Sequence, residues 1–347
     1  MTLRNRGYRR LHLCSTRELW HNWAMAIHVL AVHRDTVGTE QAAGGSLAAA
    51  YSVGVFCWLL SAGVYIAAKW VSSEMPPWAL CFWRVLIAWA ILLPIVYQHF
   101  GAMVALVRAR GLELLAIGGV GLAICQGLIF VGLEHADATT AGIIIALIPI
   151  ITMILARFIL AEPMGRWQVI GSILAFLGIV VIIVKGSPAA LLRLDLNPGE
   201  LWIVAGAFCF SLYTVLLRRA KFDVNRLALL VLLLGAAVLT ALPFYLFELV
   251  SDERSTLNAS GLIALGYVAI PGGAVMYYLF NRSIEALGAA RAGVLLYIQT
   301  IFIAVLAYLF LGEQLQRYHL EGAALIVAGL LLIILLKPTT RAEATKA

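Results

Sequence analysis

The sequence predicts an all-α polytopic membrane protein of ten transmembrane helices, arranged as two inverted five-helix repeats. Three observations carry that prediction. The 347 residues are 63% hydrophobic and 12% charged, with a mean hydropathy of +0.95, whereas soluble domains are about half apolar and a quarter charged. Apolar runs of about twenty residues, the length that crosses roughly 30 Å of hydrocarbon, follow one another with short polar breaks from Leu47 onward. The second half of the chain then repeats the first, and each half holds an odd number of runs.

Residues 1–46 stand apart from the rest. Arg4, Arg6, Arg9, Arg10 and Arg17 make a basic start, and the apolar stretch Trp23–Val32 is too short to span. No cleavage site precedes the first span, so the stretch does not read as a signal peptide. It reads as a disordered tail, with a basic interfacial helix as the alternative. Spans are expected near 47–69, 78–98, 112–133, 139–160 and 167–185, then near 199–218, 226–248, 260–281, 290–311 and 318–336. The first repeat is 47–186, the second 199–337, with an outer linker at 187–198 and a cytoplasmic tail at 338–347. Pro94, Pro149, Pro243 and Pro271 fall within spans. Bilayer helices tolerate such breaks where neighbours satisfy the freed backbone groups.

Charge sets the orientation. A net charge of +7 would raise nucleic-acid binding in a soluble protein, but here Lys and Arg lie between apolar runs and act as topology signals. With the N-terminus cytoplasmic, nineteen of the 25 basic residues fall inside, and Lys69, Lys185, Arg193, Arg254 and Arg317 fall outside. Arg84 lies within a span. Without the tail the bias is still thirteen to five, which predicts both termini cytoplasmic and an even number of spans, in a cell or inner membrane, with no nucleic-acid partner. Cys14, Cys57, Cys81, Cys125 and Cys209 are scattered and form no CxxC pair, so neither a disulfide framework nor a metal site is expected. No HExxH, phosphate loop or GxSxG occurs. No cofactor is expected, and neither an ATP-driven pump nor an intramembrane hydrolase has a visible centre.

Sliding the chain by 151 residues aligns 130–186 with 281–337 without a gap. Glu134 meets Glu285, and Ala141-Gly142 meets Ala292-Gly293. Leu160-Ala161-Glu162 meets Leu311-Gly312-Glu313, and Arg166, Gly171 and Gly178 meet Arg317, Gly322 and Gly329. Phe56-Cys57 matches Phe208-Cys209 with one more residue of shift. Apolar bias cannot supply the polar and glycine matches. Five spans per half force the second half to enter the membrane from the opposite side. That inverted repeat is how many transporters are built, with the substrate site between the halves near the midplane.

These stretches resemble the EamA-type transporters of the drug/metabolite transporter superfamily over about 47–337. The resemblance rests on Phe82-Trp83-Arg84 leading to Pro94, Gly142 to Pro149, and Leu160-Ala161-Glu162 to Gly171 and Gly178. In the second half it rests on Gly288 to Gly293 and on Leu311-Gly312-Glu313 to Gly322 and Gly329. It implies a ten-helix carrier of metabolites, amino acids or drugs, with a pocket walled by spans 1, 3, 4, 6, 8 and 9. Ala161 and Pro163 depart from the second repeat's pattern, which puts the capping of the next helix by that loop in question.

Several residues are candidates for the site. Arg84 lies about 9 Å along its helix from Trp78. It either contacts an anionic substrate group or snorkels to the outer headgroups. Tyr51, Trp58 and Tyr65 recur every seven residues on one face of span 1. With Gln126, Tyr213, Tyr277, Asn281, Tyr297 and Gln299, the pair Trp58 and Tyr65 forms an expected pocket of aromatic walls and a few amides, against helix packing and interfacial belts as the structural alternative. Glu162 and Glu313 are expected to meet a helix N-terminus and to pair with Arg166 or Arg317, against a proton-coupling role. Gly171, Gly178, Gly322 and Gly329 read as close helix-packing surfaces. Glu134, His135 and Asp137 read as a solvated loop. The reading favoured is a secondary transporter, exporting a small organic molecule by alternating access, for which a monomer suffices and a dimer is compatible. A lipid-modifying enzyme centred on His135 and a membrane assembly protein without flux are the rivals.

Overall fold

A computed structural model describes residues 43–161, 166–184, 197–251, 259–287 and 295–335. The tail up to residue 42, Glu162, most of the 187–198 linker, the Gly288 to Gly293 stretch and residues 336–347 lie outside the described residues. Among the described residues every regular element is helical and none is a strand. Helix α1 is Ala43–Trp70, α2 Pro77–Leu92, α3 Phe100–Gly118, α4 Cys125–His135, α5 Ala138–Ile145, α6 Ile148–Ile159 and α7 Arg166–Ile183. The second half follows with α8 Pro198–Ala220, α9 Arg226–Ser251, α10 Ala259–Ala269, α11 Met276–Leu287, α12 Leu296–Leu306 and α13 Arg317–Leu335.

Six helical segments among the described residues are long and apolar enough to cross a membrane: Ala49–Trp70, Pro77–His135, Ala138–Ile159, Pro198–Ala220, Arg226–Ser251 and Ala259–Ser283. The second runs for 59 residues, far more than the roughly 20 that one crossing needs. A 3₁₀ stretch at Leu93–His99, opened by Pro94, and a non-helical Arg110 (φ −139°, ψ 32°) interrupt it. Trp78 near its start packs on Gly127 near its end, so the segment folds back into a hairpin of two apolar arms. Arg110 ties that hairpin to α8: it grips Glu113 through Nε and Nη2 (2.6 and 2.7 Å) and donates Nη1 to the Ala220 carbonyl (2.8 Å). Large apolar side chains such as Phe158, Phe247 and Phe310 stand exposed around the outside, as lipid-facing surface requires.

The halves share backbone irregularities as well as residues. A π-helical turn occupies Gly119–Ile124, and a second occupies Ile270–Val275, displaced by the same 151 residues that align the sequences. Helices α7 and α13, which also correspond under that shift, pack closely along their lengths. Gly178 sits against Gly322, and Gly329 against Gly171, so the two helices run antiparallel and exchange equivalent glycines. A Cβ on Gly178 would stand 2.6 Å from the Gly322 carbonyl oxygen. The approach is backbone on backbone, which small residues alone permit.

Valine at Gly178 or Gly329 should therefore force this seam apart. Overpacking of this kind costs about 1–3 kcal/mol or more. Thermal unfolding in detergent should show a lowered Tm for each. Gly266→Ala, where nothing lies within 4 Å of the new Cβ, should melt with the wild type.

Candidate functional site

The polar centre of the protein assembles at the second π turn. Pro271 has no N–H, and the wide turn sends the Met276 N–H to the Pro271 and Gly273 carbonyls, past Gly272, its partner in an α-helix. The Gly272 carbonyl is thereby available to a side chain, and Arg84 Nη2 on α2 donates to it at 3.2 Å. Arg84 is 2% exposed, which overturns the snorkelling alternative: the guanidinium points into protein, not to headgroups. Its Cζ lies 5.4 Å from the Tyr277 ring centroid, within cation–π range. Nε and Nη1 are buried and have no hydrogen-bond partner.

Helix α1 brings two further residues to this centre. Ser61 and Tyr65 are four apart and share a face. Gln299 on α12 donates Nε2 to Ser61 Oγ at 2.9 Å, while its Oε1 is buried without a partner. Tyr65, 6% exposed, neighbours Arg84, Tyr277 and Gln299 and is not an interfacial belt residue. Tyr213 on α8 neighbours Tyr277 and lays its ring on Gly121 of the first π turn. Five of the nine expected site residues thus meet: Tyr65, Arg84, Tyr213, Tyr277 and Gln299.

The other four are placed differently. Trp58 packs edge-on against Phe280 (5.3 Å between centroids) in a small cluster with Leu295. Asn281 donates to the carbonyl of Tyr277 on its own helix at 2.9 Å, a local bond. Tyr297 packs against the main apolar core, and Gln126 is half-buried on α4 beside Cys125. Two apolar grooves open elsewhere, one of about 470 Å³ beside Trp89 and Gly235, the other of about 560 Å³ beside Trp70, Tyr267 and Phe310. Neither is lined by an expected site residue.

Carboxylates close two helix starts. Glu313 accepts from the backbone N–H of Ala138 (2.8 Å) and Thr139 (2.9 Å) and from Thr139 Oγ1 (2.7 Å). It therefore meets a helix N-terminus as expected, but that of α5, across the fold, and these bonds rather than an Arg317 pairing occupy it. The chain reaches this position because Gly312 turns through φ +68°. Glu248 caps α2 in the same way, accepting from Trp78 N (3.1 Å) and Ala79 N (2.8 Å). His319 is 2% exposed. Its Nδ1 accepts from the Gln316 N–H (3.2 Å), so Nε2 carries the proton and donates to Thr140 Oγ1 (3.0 Å). Ser61, Glu248 and His319 escaped the sequence reading, because a serine, a span-end acid and a loop-edge histidine carry no spacing signal that names their partners. Helix α4 runs through Glu134 and His135, and no metal-holding group of three occurs among the described residues.

Comparison with known proteins agrees with this architecture. The model of the EamA-like transporter family matches the chain twice, over residues 48–184 and 197–335. YyaM, an uncharacterized transporter of Bacillus subtilis, is 26% identical over 275 residues, covering 79% of this chain and 89% of its own. An S-adenosylmethionine uptake transporter of Rickettsia felis is 25% identical over 280 residues, covering 78% and 86%. A probable terminal-alkyne amino-acid exporter of Streptantibioticus cattleyicolor is 28% identical over 227 residues, covering 65% and 74%. One crystal structure, 20% identical, shares the fold with a TM-score of 0.53 over 86% of this chain and 99% of its own.

Removal of the Glu313 cap tests this tie. Glu313→Ala deletes three charge-assisted bonds, and Tm should fall by an amount equivalent to roughly 2 kcal/mol or more. Glu313→Gln, which keeps acceptor capacity through one oxygen, should lose less. Equal melting of both variants with the wild type would remove the capping role.

Proposed function

The chain belongs to the EamA-like transporter family, and from that premise we propose that it is a secondary carrier, moving a small organic molecule by alternating access between two inverted five-helix repeats. It is a multi-pass membrane transporter of the same kind as the relatives it resembles. In this reading the 59-residue hairpin crosses twice, the shorter apolar helices Val169–Ile182 and Leu296–Leu311 and helix α13 cross as well, and the spans number ten. Both termini are cytoplasmic, in a cell or inner membrane.

The observation that carries the reading is the buried polar centre at the break in the second repeat. Irregular backbone at membrane depth persists where it is buried in protein or lines a site, and carriers of this architecture place substrate at such breaks between repeats. Tyr65, Arg84, Tyr213, Tyr277 and Gln299 form the core of the proposed site, and Trp58 with Phe280 its aromatic wall. Gln126, Asn281 and Tyr297 complete it only in another conformation. The antiparallel α7 and α13, with their exchanged glycines, support the inversion and supply an axis about which the repeats rock. The breaks near Pro149 and Pro271 act as the flexing points. The substrate class is supported by relatives named for S-adenosylmethionine and for a terminal-alkyne amino acid. Export is the direction proposed, as named for the Streptantibioticus relative, although the Rickettsia relative is named for uptake. The carrier works as a monomer, since one chain supplies both repeats.

Flux into and out of proteoliposomes tests this. A panel of amino acids, amines, nucleosides and organic anions should yield saturable flux of one class. Trp58→Ala should reduce it about tenfold, equivalent to about 1.4 kcal/mol of transition-state stabilisation. A pH gradient should leave the rate unchanged, because Glu313 is engaged as a cap; a proton dependence abolished by Glu313→Gln would overturn that. Absence of flux from folded protein would favour the enzyme reading, which His135→Ala would then probe.

A further inference from the structure

We infer that the site takes a small organic anion that also carries an N–H or O–H donor, with Arg84 holding the anionic group and Gln299 receiving the donor. The inference rests on the carrier reading and names its substrate class. Arg84 is a permanent cation, 2% exposed, and no carboxylate partners it among the described residues. Only Nη2 is engaged, by the Gly272 carbonyl. Nε and Nη1 remain without partners, although a buried charge is retained as a rule only where it is paired. An arginine kept solely to hold the broken helix would need one donor and no net charge. The surplus is two donor nitrogens and one full positive charge, and the ligand that satisfies both is an anion with several acceptor oxygens, a carboxylate or a phosphate.

Gln299 supplies the complementary half. Its amide is oriented by the bond from Nε2 to Ser61 Oγ at 2.9 Å, which commits Oε1 to face the other way. That oxygen is buried, 2% exposed at the residue, and unpartnered. It can accept but not donate. Tyr65 neighbours both side chains, so the unmatched cation and the unmatched acceptor belong to one centre. Tyr277 and Tyr213 lie over its apolar side. A plain hydrocarbon acid would satisfy Arg84 and leave Gln299 bare, and a neutral amide would leave the charge uncompensated.

The test is thermal stabilisation of purified full-length protein in detergent. The probes are acetate through octanoate, their amides, the corresponding 2-amino and 2-hydroxy acids, and phenyl phosphate, with flux of the same solutes measured in proteoliposomes. The acids or the phosphate should raise Tm saturably, the amides should not, and the 2-substituted acids should act at least tenfold lower concentration than the plain acids. The separation of acids from phosphate identifies the anion. Arg84→Gln should abolish the shift, Arg84→Lys should retain it weakly, and Gln299→Leu should equalise plain and 2-substituted acids. Amides as effective as acids, silence of both anion classes, or an unchanged anion shift in Arg84→Gln would each overturn the assignment. Saturable flux of an uncharged solute would leave the carrier standing without the anion site. An Arg84-dependent shift without flux would leave the site standing without the carrier.

Discussion

In hydrocarbon, a backbone carbonyl or N–H released from a helix has no water to turn to, and leaving it bare costs several kcal/mol. The arrangement of this protein follows from how each such group is answered. Arg84 answers the Gly272 carbonyl, while Ser211 and Thr300 add cross-helix bonds to the carbonyls of Ile148 (3.1 Å) and Gly142 (3.1 Å). At the helix ends, Lys69 takes the Leu133 carbonyl (2.8 Å), Asn197 that of His135 (2.8 Å) and Arg110 that of Ala220 (2.8 Å). Free N–H groups go to the carboxylates of Glu248 and Glu313. Each of these is a contact between elements distant in sequence. The apolar faces allow many packings; the obligation to satisfy broken backbone selects among them.

The internal repeat places those breaks in corresponding positions. Two of the three π turns among the described residues are 151 residues apart, and in each of these the next N–H skips its regular partner: Cys125 bonds Val120 instead of Gly121, and Met276 bonds Pro271 and Gly273 instead of Gly272. The two corresponding glycines meet different neighbours. Tyr213 packs against Gly121, while Arg84 and Val64 meet Gly272. The 151-residue shift sets Gly235 opposite Arg84, and the 152-residue shift sets Ala236 there, so the second half holds no counterpart cation. Symmetry builds the frame; one unmatched residue gives it a chemical direction.

The exposed ring of Phe158, Phe247, Phe310 and their neighbours gives no specificity of its own, since lipid tails are as apolar as the side chains they meet. Close approach therefore depends on small residues. At the α7–α13 seam the glycines bring backbone to within reach of backbone, which a pair of larger residues would prevent. That pair joins the two halves by their last helices.

The sequence by itself determined the membrane class, the positions of the helical runs, the repeat and the family resemblance, because each is a one-dimensional property: apolar length, charge placement and self-similarity. It marked Arg84 as the one cation within a span and nominated Tyr65, Tyr277 and Gln299 by residue type. It could not determine that Arg84 is buried, that Gln299 is set by Ser61, that Trp58 turns to Phe280, or that Glu313 caps α5. It expected the two arms, at 78–98 and 112–133, but not that the stretch between them is helical as well. Those features depend on which helix faces which, and lipid imposes no preference that can be read along the chain. Only the tertiary structure decides them, because the groups that must find partners lie on different helices.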